Sequence, residues 1–417
     1  MKKILIPSLF GLVLGLLSAC SRPASLTPVP APATPTPLAP KSSAPTLTPL
    51  PPTATLVPVP ITSLTELHMQ DADRGWAWAS KPDNSFLLLS TADGGLIWRD
   101  VTPPNLPAVS FGSFFLDAQS AWVQLFDSTN NSNGLAHSAD GGKSWSVLNK
   151  ALPFANAAIT FEDAAVGWAE TYDVGAGQAY VQLYQTQDGG TTWTQVLLTG
   201  PSTESQAPDG ALHLCNICGD NFSYDPSRMV ITRGDLASEP GGFVRLSVST
   251  NLGKTWNDLK LPLPSSQFAG DLIAPHTPVF FNPRDGFLPV QMTTNDASFS
   301  TTLAVYATHD GGLTWTASPS FVEEASPYDL VKFVSLQDGF ARCGNDLCAT
   351  HDGAQTWKTL PPGLNFSSTS SSDFVFHYDF VDAGTGWAIT TDGITATLWK
   401  TADGGVTWNK LNPVLAP

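Results

Sequence analysis

An eight-residue motif, Ser/Thr-x-Asp-Gly-Gly-x-Thr-Trp, occurs seven times in this chain of 417 residues, and we call each copy a box. The boxes occupy residues 91–98, 138–145, 186–193, 249–256, 308–315, 350–357 and 401–408. The 310 residues from Asp93 to Asp403 contain six intervals of about 52 residues, a spacing typical of repeat folds. The chain is therefore predicted to repeat one structural unit seven times.

Each box has the chemistry of a tight turn between two strands. The Asp side chain accepts hydrogen bonds from turn amides, glycine supplies positive φ, and the Ser or Thr satisfies further backbone groups. The closing Trp is expected to fill the gap between neighbouring sheets. The departures Ile97, Asn251 and Ala354 are expected only to loosen their turns. We predict a structural role for Asp93, Asp140, Asp188, Asn251, Asp310, Asp352 and Asp403, and for Trp98, Trp145, Trp193, Trp256, Trp315, Trp357 and Trp408.

A second recurring element, an Asp/Gly turn followed by a Trp- or Phe-led strand, lies upstream of most boxes, as in Asp73-Arg74-Gly75-Trp76. One repeat then comprises strand, Asp/Gly turn, strand, variable loop, strand, box and strand. Four short antiparallel strands form one propeller blade, and 34 Gly and 35 Pro suit many short strands joined by turns. The predicted fold is all-β, a seven-bladed β-propeller of four-stranded antiparallel blades.

Alternate turns of an antiparallel blade emerge on opposite faces, so the boxes and the Asp/Gly turns are expected to share one face. The other face carries the variable loops, where binding residues are usually placed on a rigid scaffold. The stretch before the fourth box is the longest, and residues 200–224 within it are our first candidate for a loop that caps a site. The variable loops are residues 80–85, 126–134, 172–178, 200–224, 262–278, 292–298, 319–329 and 361–372.

The boxes resemble the Asp-box, or BNR, repeats of sialidases, sortilin-type receptors and xyloglucanases. Together with the Asp-x-x-x-Gly-Trp-Ala strands, they look most like the photosynthesis system II assembly and stability factor family. The resemblance covers about residues 61–417 and is specific for fold but poorly specific for function. It implies that the box carboxylates are structural and lie away from the ligand face, and it suggests a role in assisting a membrane complex.

The N-terminus has the layout of an export signal. Lys2 and Lys3 precede an apolar run that is too short for a comfortable membrane span, and Leu17-Ser18-Ala19-Cys20 follows. That tetrapeptide resembles the lipobox of bacterial lipoproteins, which implies cleavage before Cys20 and its lipidation; an ordinary secreted protein is the alternative. Residues 1–19 are predicted to be a signal peptide, 20–60 a lipidated linker and 61–417 the propeller.

The segment from Ser21 to Pro60 contains thirteen prolines in forty residues and is predicted to be a disordered, extended tether. At about 3.1 Å per residue it would reach up to roughly 120 Å. The predicted location is extracytoplasmic, at a bacterial membrane or cell surface.

Four cysteines remain once Cys20 is assigned to lipidation, and an even number in an exported chain suggests disulfides. Cys343 and Cys348 enclose a turn-like sequence and are expected to face each other across a hairpin. Cys215 and Cys218 favour a local disulfide, with a redox pair and a four-cysteine zinc site as alternatives. Seven scattered His show no metal-ligand spacing, so we expect neither metal nor cofactor.

The net charge is −16, or −18 without the lysines of the leader (18 minus 36), which disfavours binding to nucleic acid or to an anionic membrane surface. Membrane contact is expected through the lipid alone, and the protein is expected to be a monomer.

Three functions remain open: a docking propeller for a protein or glycan, a glycosidase of sialidase or xyloglucanase type, and a structural surface protein. A sialidase uses three arginines and an Arg-Ile-Pro element, whereas Arg74, Arg99 and Arg284 are expected near the box face and no such element precedes Asp93. A non-catalytic docking or assembly-factor role is favoured.

Overall fold

The computed structural model describes residues 59–416 except 62, 82, 84, 105–107, 128–131, 156, 176–177, 200–221, 226–229, 234–241, 249–256, 326–330 and 368–373. Within this part of the chain the regular structure is β-strand apart from one short 3-10 turn, Ser266–Phe268. The predicted signal peptide, Cys20, nearly all of the linker, Cys215, Cys218, Asn251 and Trp256 lie outside the described residues.

The strands form seven sheets, which we number as blades 1 to 7 in chain order. Blade 1 contains Val59–Pro60 (β1), Leu64–Met69 (β2), Arg74–Ser80 (β3), Phe86–Ala92 (β4), Ile97–Asp100 (β5) and, from the C-terminus, Val414–Leu415 (β31). Blade 2 contains Ala108–Phe115 (β6), Ala121–Asp127 (β7), Ser132–Ser138 (β8) and Ser146–Asn149 (β9). Blade 3 contains Ala158–Phe161 (β10), Gly167–Gly175 (β11), Gln178–Thr186 (β12) and Thr194–Thr199 (β13).

Blade 4 contains Phe222–Asp225 (β14), Val230–Arg233 (β15), Phe243–Val248 (β16) and Asn257–Pro262 (β17). Blade 5 contains Leu272–Pro275 (β18), Val279–Phe280 (β19), Gly286–Thr293 (β20), Thr301–Thr308 (β21) and Thr316–Ala317 (β22). Blade 6 contains Lys332–Phe333 (β23), Gly339–Cys343 (β24), Asp346–Thr350 (β25) and Lys358–Thr359 (β26). Blade 7 contains Phe374–Phe380 (β27), Gly386–Thr391 (β28), Ala396–Thr401 (β29) and Asn409–Lys410 (β30).

Consecutive strands within each blade pair antiparallel, and in blade 5 the first strand is split into β18 and β19, which both pair with β20. First strands of neighbouring blades contact each other, as β2 contacts β27 and β6 contacts β10. The predicted all-β propeller with four-stranded antiparallel blades is confirmed.

The box turns have the hydrogen bonds that their sequence predicts. In the fifth box, Asp310 Oδ1 accepts from Thr314 N at 2.9 Å and Thr308 Oγ1 accepts from Gly312 N at 2.9 Å. Both glycines of this box have positive φ, and the same arrangement recurs in all six described boxes. Ala354, which replaces the second glycine of the sixth box, adopts φ +64°, a conformation that costs a non-glycine residue energy.

Aromatic residues join neighbouring blades at the described junctions. Trp122, at the start of the second strand of blade 2, stacks on Phe161 of blade 3 with ring centroids 3.8 Å apart, and Phe340 of blade 6 stacks on Phe380 of blade 7 at 3.7 Å. Each box Trp in the described part packs in the opposite direction, into the apolar cluster shared with the preceding blade. The predicted position of these Trp residues between sheets is confirmed for six boxes.

The glycine of the Asp/Gly turn is required by this packing. A Cβ atom on Gly386 would lie 2.5 Å from the ring of Phe380, and one on Gly167 would lie 2.5 Å from the ring of Phe161. Since the stacked ring of the first strand lies directly over these two positions, a side chain there would displace the ring; blade 2 instead has Ala121 opposite Phe115. Six junctions between neighbouring blades are described, and the junction between blades 3 and 4 lies outside the described residues.

The two chain ends meet on blade 1. The strand order there is β1-β31-β5-β4-β3-β2, with β31 parallel to β5 and antiparallel to β1. The Val414 amide donates to the Leu96 carbonyl at 2.9 Å, and the Ala416 amide donates to the Trp98 carbonyl at 2.7 Å. Residues 64–69 supply the first strand of blade 1, and residues 59–60, assigned to the linker from sequence, form a strand of the same sheet.

Candidate functional site

The boxes and the Asp/Gly turns lie on the same face of the propeller. In each of the six described boxes the amide of the first glycine donates to a carbonyl of the Asp/Gly turn in the same blade, at 2.7 to 2.9 Å. We name this side the box face and the opposite side the loop face. The prediction that these two kinds of turn share one face is confirmed.

The loop face is partly described. Residues 262–278 and 292–298 are described throughout, whereas most of residues 200–224, our first candidate for a capping loop, lie outside the described residues. The candidate site is therefore built from blades 1, 5 and 7.

An apolar hollow of about 450 Å³ opens between blades 1 and 7. Lys81, which follows the second strand of blade 1, and Ile394, from the corresponding turn of blade 7, place it on the loop face. A second hollow of about 310 Å³ lies on the blade 7 side of residues 60–61. The larger hollow is lined by the aliphatic residues Val59, Pro60, Ile61, Ala79, Leu87, Leu89, Ile394 and Leu415, and by Ser63, Ser80 and Lys81.

Ile394 is 91% exposed, at the tip of the turn between β28 and β29. Asp392 fixes that turn, because its Oδ1 accepts from the amides of Ile394 at 2.8 Å and Thr395 at 2.7 Å. These amide bonds, from Thr395 first, hold the pKa of Asp392 below its usual value. Ile394 was not predicted from the sequence, although Asp392-Gly393 is a hairpin signal and an isoleucine beside it is unusual in a turn. The result is an aliphatic side chain held in solvent beside an apolar hollow.

Two carboxylates on the loop face of blade 5, Asp271 and Asp296, interact through their charges. The pairing of Leu272 with Thr293 brings Asp271, before β18, close to the loop that carries Asp296. Burial, and then the charge of Asp296, raise the pKa of Asp271, whereas hydrogen bonds from Ser298 lower the pKa of Asp296. The pKa of one carboxyl is thus raised and that of its neighbour is lowered.

Titratable groups on the first strands hold blades 6, 7 and 1 together. Asp379 is buried; its Oδ2 accepts from the Met69 amide at 2.9 Å, and its Oδ1 pairs with Lys332 Nζ at 2.8 Å. His377 Nε2 lies 3.0 Å from the Leu67 carbonyl oxygen, and burial lowers its pKa. Because these groups are engaged with backbone or with each other, they join first strands and leave no free nucleophile.

Three polar side chains occupy the same place on the second strands of blades 2, 3 and 6, and two of them, Gln124 and Arg342, are buried. Gln124 Nε2 of blade 2 donates to the Ala157 carbonyl of blade 3 at 2.6 Å, and Arg342 Nη1 of blade 6 donates to the Phe366 carbonyl, ahead of blade 7, at 3.1 Å. Glu170 of blade 3 has the equivalent place on β11, two residues after Trp168. Burial raises the pKa of Glu170 to about 7.

The described arginines do not assemble a carboxylate clamp on the loop face. Arg74 pairs with Asp71 in an Asp/Gly turn, Arg284 Nε donates to the His309 carbonyl at 3.1 Å on the box face, and Arg342 is buried between blades. The described residues also contain no group of three His, Cys, Asp or Glu that could hold a metal ion. Among them, no helix has the length and apolarity needed to cross a membrane.

The Cys343–Cys348 disulfide predicted from sequence is present, with Cα atoms 5.8 Å apart. It spans the β24–β25 hairpin of blade 6 diagonally, because Cys343 pairs with Asp346 and Cys348 with Ala341.

No protein-family model matches the chain, and no curated protein matches it. Several solved structures are similar in fold. One is described as YCF48 bound to D1 peptide, with a TM-score of 0.43, 16% identity, and coverage of 83% of this chain and 94% of that one. A polysaccharide lyase, an ulvan lyase, gives a TM-score of 0.46, 10% identity, and coverage of 84% and 94%. The GH93 α-L-arabinofuranosidase of Fusarium graminearum with arabinobiose gives a TM-score of 0.34 and 12% identity, with coverage of 83% of this chain and 97% of that one.

At these values the comparisons identify no ligand and no activity. The propeller assignment rests on the seven sheets and the described junctions between them.

Proposed function

We propose that this chain is an exported, lipid-anchored, monomeric propeller that docks a protein partner through its loop face. In this proposal the boxes are Asp-box repeats and the seven sheets close one seven-bladed ring. The resemblance to assembly and stability factors suggests that the partner belongs to a membrane complex.

The observation that carries the proposal is the apolar hollow with Ile394 beside it. Its walls are aliphatic and Lys81 is its one charged residue, which suits an apolar side chain of a protein. A sugar site would instead be expected to present exposed aromatic rings alongside polar groups. An exposed, rigidly held aliphatic side chain next to a concave apolar surface is typical of an interaction site.

The test is affinity capture of the full chain from native membranes, followed by mass spectrometry, with Ile394→Asp as the disrupting variant. Leu313→Asp is the matched control, because Leu313 is 55% exposed but lies in a box turn on the opposite face. We expect the same partner with the unmodified chain and with Leu313→Asp, and its loss with Ile394→Asp. Recovery of identical proteins with all three would exclude docking at this hollow.

A second candidate is a glycoside hydrolase that uses Asp271 as the general acid and Asp296 as the ionised carboxylate. The opposite pKa shifts of the two groups favour it, because glycosidases need one carboxyl protonated and one ionised. The test is hydrolysis of sialosides and β-glucans by the full chain and by Asp271→Asn. Turnover that disappears in Asp271→Asn would replace docking with catalysis.

A further inference from the structure

A small cavity on the box face gathers cations from two blades. It has a volume of about 160 Å³ and lies between blades 1 and 2, where Arg74, Arg99 and Lys143 line it. Of the 20 Lys and Arg in the chain, 16 remain when Lys2, Lys3, Arg22 and Lys41 are subtracted. Three of these 16 thus line one cavity in a protein of net charge −16.

Arg74 is held in a fixed orientation. Its Nε donates to Asp71 Oδ2 at 2.8 Å and its Nη2 lies 2.6 Å from the same oxygen, so one edge of the guanidinium is occupied. A guanidinium has five N–H donors, which leaves the remaining donors of Arg74 available to a second oxyanion.

Arg99 and Lys143 have no hydrogen-bond or ion-pair partner among the described residues, in contrast to other cations on this face. Lys400 Nζ donates to the Ala72 carbonyl at 2.8 Å and lies over the Trp387 ring, and Arg284 donates to the His309 carbonyl. Those two side chains brace turns. Arg99, which follows the first box, and Lys143, within the second, line the cavity without such a bond.

Two carboxylates lie close to the three cations. Asp71 pairs with Arg74, and Asp140, in the cavity wall, is near enough to Lys143 for that charge to help lower its pKa, after the hydrogen bonds from Ser144. Both oxygens of Asp140 already accept hydrogen bonds within the box, Oδ1 from the Ser144 amide at 2.9 Å and Oδ2 from the Ser144 hydroxyl at 2.6 Å. Among the residues that line the cavity, three are cationic and one, Asp140, is anionic.

Among the described junctions, only the one between blades 1 and 2 has cations at all three of these places. Between blades 6 and 7, the residues in the places of Arg74, Arg99 and Lys143 are Asp338, Lys358 and Val406. The box repeat itself therefore does not require the three cations.

We propose that this cavity binds an oxyanion of the sulfate or phosphate type, carried on a small ligand or as an ester on a larger one. Arg99 and Lys143 would supply the charge, and the free edge of Arg74 would supply directed N–H donors. The Gln119 side-chain amide and the Ser90 hydroxyl, also in the wall, offer further hydrogen bonds. This site is independent of the loop-face docking proposed above.

The experiment is calorimetric titration of the full chain with glucose 6-sulfate, glucose 6-phosphate, glucose and acetate at constant ionic strength. The disrupting variant is Arg99→Ser/Lys143→Ser, and the control is Lys358→Ser, the single cation in the equivalent place of blade 6. Thermal unfolding of each variant establishes that the propeller is intact, because none of these side chains makes a hydrogen bond within its box.

We expect one or both esters to bind and glucose and acetate not to bind, with the dissociation constant raised at least about tenfold in the double variant. Lys358→Ser is expected to bind like the unmodified chain. The preferred ester distinguishes a sulfated from a phosphorylated ligand. Absence of binding by both esters, equal binding of acetate, or equal affinity in the intact double variant would overturn the proposal.

Discussion

Both carboxylate oxygens of Asp310 accept hydrogen bonds from its own box turn. It accepts from the Thr314 amide at 2.9 Å, from the Thr314 hydroxyl at 2.7 Å and from the Thr308 hydroxyl at 2.9 Å. We expect Asp310→Ala to lower the free energy of unfolding by about 1 to 2 kcal/mol, because exposed turn hydrogen bonds contribute modestly. Asp310→Asn should cost less, since it retains an acceptor and Asn251 occupies this place in the fourth box. Urea unfolding measures both, and equal losses would contradict the assigned bonds.

A single residue, Glu170, also makes the free energy of unfolding depend on pH. Its folded pKa is about 7, above the ordinary 4.5, because burial disfavours the charged form. Between these two values the folded state holds a proton that the unfolded state has lost, so its contribution to stability falls as pH rises from 4.5 to 7 and stays low above 7. We expect Glu170→Gln to raise the free energy of unfolding at pH 8 by roughly 1 to 3 kcal/mol and to have little effect near pH 4. Chemical unfolding at both pH values tests this, and a uniform effect would refute it.

Among the structural elements, β31 joins the C-terminus to blade 1 through few hydrogen bonds. Val414→Pro removes the N–H that donates to the Leu96 carbonyl, and Val414→Ala keeps it. We expect Val414→Pro to cost about 1 to 3 kcal/mol and to lower the thermal midpoint, whereas the alanine variant should lose only the side-chain contacts of a half-buried residue. Calorimetry compares the two variants. Equal midpoints would show that β31 does not stabilise the fold.

The sequence predicted those elements whose chemistry repeats. In the boxes and the Asp/Gly turns, a few adjacent residues determine the turn. The same holds for the Cys343–Cys348 hairpin. The closing strand was not predictable, because Val414–Leu415 has only two residues and no periodicity, and its partner β5 is more than 300 positions away. Asp271 and Asp296 were likewise not predicted as a pair, since the register of Leu272 with Thr293 brings them together.

At the scale of the whole molecule, the first described residue, Val59, lies in the wall of the apolar hollow. The described chain therefore begins beside the proposed docking site, at the junction of blades 1 and 7. Either the proposed anchor at Cys20 or the proposed docking site alone would retain the protein at a membrane that contains the partner. Membrane association by itself does not distinguish the two proposals.

Fractionation of the unmodified chain and three variants separates the two proposals, because the two interactions are physically independent. With membranes that lack the partner, no docking contact remains, and we expect Cys20→Ser to appear in the soluble fraction. Its thermal midpoint should stay unchanged. In native membranes, Cys20→Ser should be partly retained, Ile394→Asp fully retained through the lipid, and the double variant released. If Cys20→Ser stays bound in the absence of partner, the lipid anchor is wrong. If native membranes retain the double variant to the same extent as Cys20→Ser, docking through Ile394 is wrong, whether or not the lipid anchor exists.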